Sequence, residues 1–369
     1  MELIRNRISE LKPIAKDLHS KYQKYLPAFF FSFGFLLDIL TLGEVDDLSN
    51  ILILGFYLLS SLCILSLEFI EAHEKDYKTS WLKRFFKYRD DIFHFLCGSL
   101  LSAFTLFYFK SGSVANSFIF MAFMMTILLL NEVQLFQKQG IIIRSSMLML
   151  CLISYLTCIV PILVGTTGPF IFYMCLIMAL LLSISGFFIL TYINKNQTKN
   201  LKTLLIPQLA VGFIFLSLYA FKLIPPIPLS LKYIGIFHNV ERMDGNYRTS
   251  DLTPWWEIWN NGDQLFRARD GDKIFLFTNI FAPGGFTGKI YIHWLKDTKE
   301  GYKTSDRIPL DITGGREEGF RGFAYKSNFV PGDWQVRVES ASGLEIGRIN
   351  LEIIEDKSSN QRSFKQIVR

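Results

Sequence analysis

Ionisable side chains set within long apolar stretches are the first residues able to carry chemistry, because a charge in hydrocarbon is costly unless paired or solvated. Glu132 and Arg144 stand at nearly equal distances on either side of Lys138. A helix hairpin turning there would bring them to the same depth. An ion pair between them is therefore expected, with a proton or ion pathway as the alternative. Glu68, Glu71, His73, Asp90, Asp91 and His94 gather at the ends of two neighbouring apolar runs. Carboxylates and imidazoles so placed could serve metal or acid–base chemistry. Glu71 and His73 are only two apart and do not share a helix face, so the Glu-x-x-His spacing of dinuclear carboxylate sites is missing. Charges solvated at a helix end are the plainer reading of this cluster.

A second group is aromatic. Trp255, Trp256 and Trp259 lie in Pro254-Trp255-Trp256-Glu257-Ile258-Trp259-Asn260, too close together for all three to be core on one strand face. They suit a stacking platform for a sugar or peptide, a place at the lipid headgroups, or ordinary packing. Their nearness to the last apolar run tips the expectation toward the headgroups. His293 and Arg321 could share an interaction patch with Trp334, but period-two alternation assigns Trp334 to a core face. No Gly-x-x-x-x-Gly-Lys-Ser/Thr, His-Glu-x-x-His, Gly-x-Ser-x-Gly or Gly-x-Gly-x-x-Gly occurs. The expectation leans away from an enzyme, and no motif implies a cofactor or metal.

The elements that position these residues follow from hydropathy. Mean hydropathy of +0.28 with 50% hydrophobic residues is too apolar for an ordinary soluble chain of 369 residues. The excess is local: apolar runs span about 26–42, 48–70, 92–109, 114–136, 141–164, 169–193 and 204–224. A helix needs ~20 apolar residues to cross the hydrocarbon, so these runs read as about seven transmembrane helices, the first being the shortest. Residues 1–25 place Ile4, Ile8, Leu11, Ala15 and Leu18 at helical spacing among basic residues, as in a cytoplasmic interfacial helix. All five cysteines fall in apolar spans, so the polar C-terminal region has no disulfide. The net charge of +6 gathers beside the spans, which favours contact with the bilayer surface over nucleic acid.

Lys and Arg in the short connections give an orientation. One side carries the N-terminal cluster, the run from Lys75 to Arg89, Lys138, and Lys195, Lys199 and Lys202; the other offers only Lys110. The N-terminus is expected in the cytoplasm and the C-terminal region outside, in a bacterial inner membrane. After a proline-rich linker at 225–232, short β-type runs alternate with turn signals at ~8–12-residue spacing. Examples are Lys273–Phe281 before Pro283-Gly284-Gly285, and Trp334–Glu339 before Ser342-Gly343. The expected fold is thus a membrane all-α bundle over 26–224 plus a C-terminal all-β, immunoglobulin-like antiparallel sandwich over 233–355, with a flexible tail at 356–369.

The stretch Ile292-His293-Trp294, Arg321 with Lys326, and Pro331-Gly332-Asp333-Trp334-Gln335-Val336-Arg337-Val338, ending in Ser342-Gly343 and Gly347, resembles an uncharacterised bacterial family. That family is a small C-terminal β-domain, known as a domain of unknown function and often appended to membrane segments. The resemblance covers roughly residues 267–355 and implies an envelope setting without catalytic or ligand residues. The function expected is a noncatalytic outer domain held by a membrane bundle for interaction with an envelope protein or glycan. A transporter or sensor using Asp38, Glu68, His94, Glu132 and Arg144 is the rival, and a membrane enzyme at the carboxylate and histidine cluster a weaker one.

Overall fold

The computed structural model describes residues 26–71, 80–131, 140–243, 245–254, 256–257, 259–316 and 318–369. Among the described residues seven apolar helices come first: α1 (Leu26–Thr41), α2 (Leu48–Glu71), α3 (Ser80–Ser111), α4 (Val114–Asn131), α5 (Ile141–Val164), α6 (Pro169–Asn194) and α7 (Gln197–Ala220). A helix satisfies its backbone groups through its own hydrogen bonds, and apolar side chains then make its surface compatible with hydrocarbon. Six of these helices, α2 to α7, are long and apolar enough to cross a membrane. The chain is a multi-pass membrane protein. The 16 residues of α1 reach only ~24 Å at 1.5 Å per residue, short of the ~30 Å hydrocarbon core.

The buried cluster of the bundle centres on α3 and α5, with Phe93, Leu100, Phe104, Met149 and Ile153 out of contact with solvent. At the far end of α3, Lys110 Nζ donates to the carbonyls of Leu42 and Gly43, both at 3.1 Å. These groups end α1 and have no partner within it. Lys110 thus closes a helix end.

Among the described residues eleven strands follow, β1 (Ser230–Phe237) to β11 (Lys365–Val368). One sheet runs β1, β5 (Ile274–Phe281), β8 (Phe320–Lys326), with antiparallel pairing throughout. A five-stranded sheet runs β4 (Leu265–Ala268), β10 (Glu345–Glu355), β9 (Gly332–Ser340), β6 (Thr287–Thr298), β7 (Gly301–Thr313). Ile234, Leu276 and Ala324 from the first sheet and Ile292, Trp294, Val336 and Leu351 from the second enter one apolar core. A third sheet, β11, β3 (Asn246–Asp251), β2 (Asn239–Met243), covers the other face of the first through Val240, Tyr247 and Phe277. The outer face of the five-stranded sheet is left open.

Three expectations change here. β4 pairs parallel to β10, so the β region is mixed rather than purely antiparallel. The tail expected to be loose carries β11, which pairs with β3 from Lys365↔Asp251 to Val368↔Arg248. Its order comes from charge pairing that hydropathy does not register: Arg269 holds Asp356 at 2.7 Å and Arg362 holds Asp272 at 2.7 Å. The proline-rich stretch is packed rather than a tether, since Ile224 and Ile227 belong to the apolar cluster of the bundle.

Phe281 and Leu344 of the β region enter that same cluster. Polar contacts ring the junction: Thr287 N donates to Gly165 O at 2.9 Å, Gly284 N to Asp46 Oδ2 at 3.2 Å, and Lys232 pairs with Glu44 at 3.3 Å. A void of about 40 Å³ lies between, lined by Tyr108, Thr157, Tyr219 and Ser342 among others. The β region is seated on the bundle at its N-terminal β1 end.

Candidate functional site

The two ends of the segment 252–263 are tied together by Asp263, whose carboxylate accepts from Leu252 N at 2.8 Å and Thr253 Oγ1 at 3.2 Å. Its other oxygen meets His238 Nδ1 at 2.6 Å, and the imidazole stacks on Phe266 with centroids 4.1 Å apart. A buried carboxylate and imidazole so paired form a structural pin. Gly262 adopts φ +75° against Ile236, a conformation and a closeness that suit a residue lacking Cβ. Asp263 N donates to Ile236 O at 2.8 Å, and Ile236 N to Asn261 O at 3.1 Å. Nearby Asp251 has its carboxyl raised above the usual range by burial, and further by the charge of Asp263.

Held this way, the segment presents Trp256 and Trp259, 57% and 71% exposed. Trp255 lies outside the described residues. Ile236 stands six residues along β1 from Ser230, ~20 Å at 3.3 Å per residue. The aromatic segment is therefore tied to the half of the β region remote from the bundle. The expectation that it rests on headgroups took its nearness in sequence for nearness in space.

Their sequence neighbours Glu257 and Asn260 line a cleft of about 410 Å³, walled also by Asp263, β4 and the chain after β10. Glu257 holds Asn260 at 2.6 Å across its rim. Asp356 is held well below the usual carboxylate range by the Ser358 hydroxyl and N–H, and then by Arg269. The cleft is rich in paired donors and acceptors. Arg267 also lines it, and its guanidinium makes no hydrogen bond or ion pair with the described residues.

His293 and Arg321 do not share a patch with this cleft or with one another. His293 sits on the open face of the five-stranded sheet, with Nδ1 2.8 Å from Glu339 and Nε2 2.9 Å from Thr304 Oγ1. Pairing registers put it in one row with Arg348, Arg337 and Arg307 across four strands. Arg321 is on β8 of the other sheet, bonded to Asn246 and the Gly245 carbonyl. Trp334 is buried, as alternation requires, with Nε1 donating to Val330 O at 3.0 Å.

In the membrane, Glu132, His73 and the side chain of Glu71 lie outside the described residues. Arg144 reaches Glu68 at 2.7 Å and Asp90 at 3.0 Å, joining α5 to α2 and α3. Three apolar runs away in sequence, Glu68 carried no signal that would single it out as this partner. His94 bonds Asn131 at 3.3 Å, and Asp38 accepts from Ser102. Asp91 shows no ion pair among the described residues, and Glu68 and His94 have separate partners, so these three do not converge as one group. Among the described residues no three His, Cys, Asp or Glu come together to hold a metal ion.

Against known proteins, residues 287–353 match the family described as "Protein of unknown function (DUF2914)". No curated protein matches the chain. Among solved structures, an immunoglobulin-like protein from Pseudomonas aeruginosa is similar at 10% identity and TM-score 0.20, covering 33% of this chain and 97% of that one. A Pseudomonas fluorescens alkylpurine DNA glycosylase, bound to DNA containing an abasic site analogue, is similar at 9% identity and TM-score 0.18, covering 84% of this chain and 99% of the other. Likeness this low bears on neither fold nor activity. What the comparisons establish is that the C-terminal region carries the stretch typical of an uncharacterised family, fused here to a multi-pass membrane bundle.

Proposed function

We propose that this protein is a bacterial inner-membrane protein that holds a noncatalytic, immunoglobulin-like β-sandwich outside the cytoplasm to bind an envelope component. The observation that carries the reading is the seat of the β region. It is locked to the bundle through Phe281, Leu344 and the Gly165–Thr287 bond, while its remote end bears an open polar cleft and two exposed tryptophans. The shared core of the two larger sheets supports the sandwich. A binding surface held at fixed height above the bilayer suits capture of something that does not itself reach the membrane.

Orientation rests on charge. α7 begins among Lys195, Lys199 and Lys202, which the positive-inside tendency keeps in the cytoplasm, so its other end and the β region face outward whether or not α1 crosses. A reporter active only outside the cytoplasm should work after Asp356 and fail after Lys199; the reverse would overturn the orientation. Crosslinking and pulldown from native membranes test the rest. Full-length protein should capture a partner that the chain cut at Pro225 does not, and equal capture by both would refute the role of the outer region.

A further inference from the structure

Asp38 is an acid in an apolar helix with no cationic partner among the described residues, whereas Glu68 and Asp90 are both held by Arg144. Its carboxylate accepts from Ser102 on α3. Ser102 stands eight residues along α3 from Lys110, ~12 Å below the helix end that Lys110 closes. A carboxylate at that depth is costly without a counter-charge, so it marks a place where a cation is held.

A cavity of about 170 Å³ opens beside Asp38 between α1 and α3, lined also by Phe35, His94, Phe95, Ser99 and Ser102. Its polar groups are turned to accept. Ser102 Oγ commits its proton to Asp38, and Ser99 Oγ commits its own to Phe95 O at 3.0 Å, so toward a ligand each hydroxyl offers lone pairs. Asn131 Nδ2 donates to His94 O at 3.4 Å, which turns Asn131 Oδ1 toward His94 Nδ1 at 3.3 Å. In the neutral imidazole Nδ1 therefore carries the proton and Nε2 is the acceptor. No lysine or arginine is among the lining residues. The aromatic walls, Phe35 and Phe95, are of a kind that attracts a cation over the ring face. A bare metal ion fits poorly, because only Asp38 and His94 of this lining are metal-ligating types. The space is also several times the ~30 Å³ share of one water, enough for a small organic molecule.

We infer that the cavity between α1 and α3 binds a small protonated amine, with Asp38 as its counter-ion and the hydroxyls of Ser99 and Ser102 accepting its N–H groups. This site belongs to the bundle and does not depend on what the outer region binds. The test uses full-length protein in phosphatidylcholine nanodiscs and titration calorimetry, with empty nanodiscs as the blank. Three probes of similar size separate the terms: butylammonium has charge and N–H donors, tetramethylammonium has charge alone, and butanol has neither the charge nor the ammonium group. Butylammonium should bind at least tenfold more tightly than either of the others. Asp38→Asn, which can still accept from Ser102, should weaken butylammonium by about tenfold or more. Gly34 also lines the cavity, and a Cβ there would meet nothing within 4 Å. Gly34→Leu should therefore fill the space and abolish binding while Asp38 stays in place. Replacing phosphatidylcholine by phosphatidylethanolamine separates two sources of such an amine: a lipid headgroup would compete and weaken butylammonium, and a soluble amine would leave it unchanged. The inference is overturned if the protein binds butylammonium no better than empty nanodiscs do, if butanol or tetramethylammonium binds as tightly, or if Asp38→Asn and Gly34→Leu both bind like the parent.

Discussion

Changing Glu68 to Gln should expose how much the bundle depends on one buried cation. Arg144 has a side chain only 6% exposed, bonded to Glu68, itself 15% exposed, and to Asp90, 50% exposed. Its Nε has no hydrogen-bond partner among the described residues. Removing one member of a buried pair costs roughly 3–5 kcal/mol, because the other charge stays behind. Asp90 remains, but half-exposed pairs contribute only ~0–1 kcal/mol. Allowing also for water reaching the outer side of the pair, the loss for Glu68→Gln should be about 2–3 kcal/mol. Asp90→Asn should cost under about 1 kcal/mol. Unfolding in mixed micelles would measure both, alongside Arg144→Gln and the double change with Glu68→Gln. The double variant should recover about 1–2 kcal/mol of the summed single losses. If the single effects simply add, or if Asp90→Asn costs more than Glu68→Gln, Arg144 is not held as described.

Two further predictions concern the β region. Lys326 is buried, 1% exposed, against Asp306, Ser305 and Asn328. Its bond holds the Asp306 carboxyl below the usual range. A carboxyl depressed in the folded state contributes stability above its unfolded value, near pH 4, and that contribution is lost as pH falls through the folded value. The β region should therefore weaken below about pH 4, and Asp306→Asn should flatten that acid limb in thermal melts while lowering stability at neutral pH by about 2 kcal/mol. At the junction, Gly165 has φ +74°, and a Cβ there would lie 2.7 Å from Gly285 O. Gly165→Ala should cost about 1 kcal/mol for the left-handed backbone alone, and should speed amide exchange at Thr287; unchanged exchange would show that this contact does not hold the two parts together.

The readable parts of the sequence were those where one residue suffices to reveal its surroundings. The run from Lys273 to Phe281 was legible to within one residue, because the turn at Pro283-Gly284-Gly285 bounds it. The bundle was legible because hydrocarbon admits few alternatives to a long apolar helix. What stayed hidden depends on pairing between distant residues. β2, β3 and β11 are short and polar, as in Asn-Tyr-Arg-Thr-Ser-Asp, so they show no alternation against a core. They gain their order from backbone bonding and from Arg369, whose guanidinium lies 4.1 Å from the Tyr233 ring. The cleft was hidden for the same reason: its walls come from residues near 257, 267 and 356, and only the tryptophans marked one of them.

Hidden too was the rigid seat of the β region, and the reason bears on how such a protein works. A short polar linker would let a domain swing over an area set by the linker's length. Here the chain after α7 buries Ile224 and Ile227 instead, and backbone groups at Gly165 and Thr287 bond directly. Direct backbone bonding of this kind tolerates almost any side chain that fits, so it leaves little trace in composition. Its consequence is geometric. The row of His293, Arg337, Arg348 and Arg307 and the cleft near Trp259 both keep a set height and direction relative to the bundle. Any ligand that meets these surfaces would do so without an ordering cost in this protein, so preorganisation rather than contact area would set the affinity.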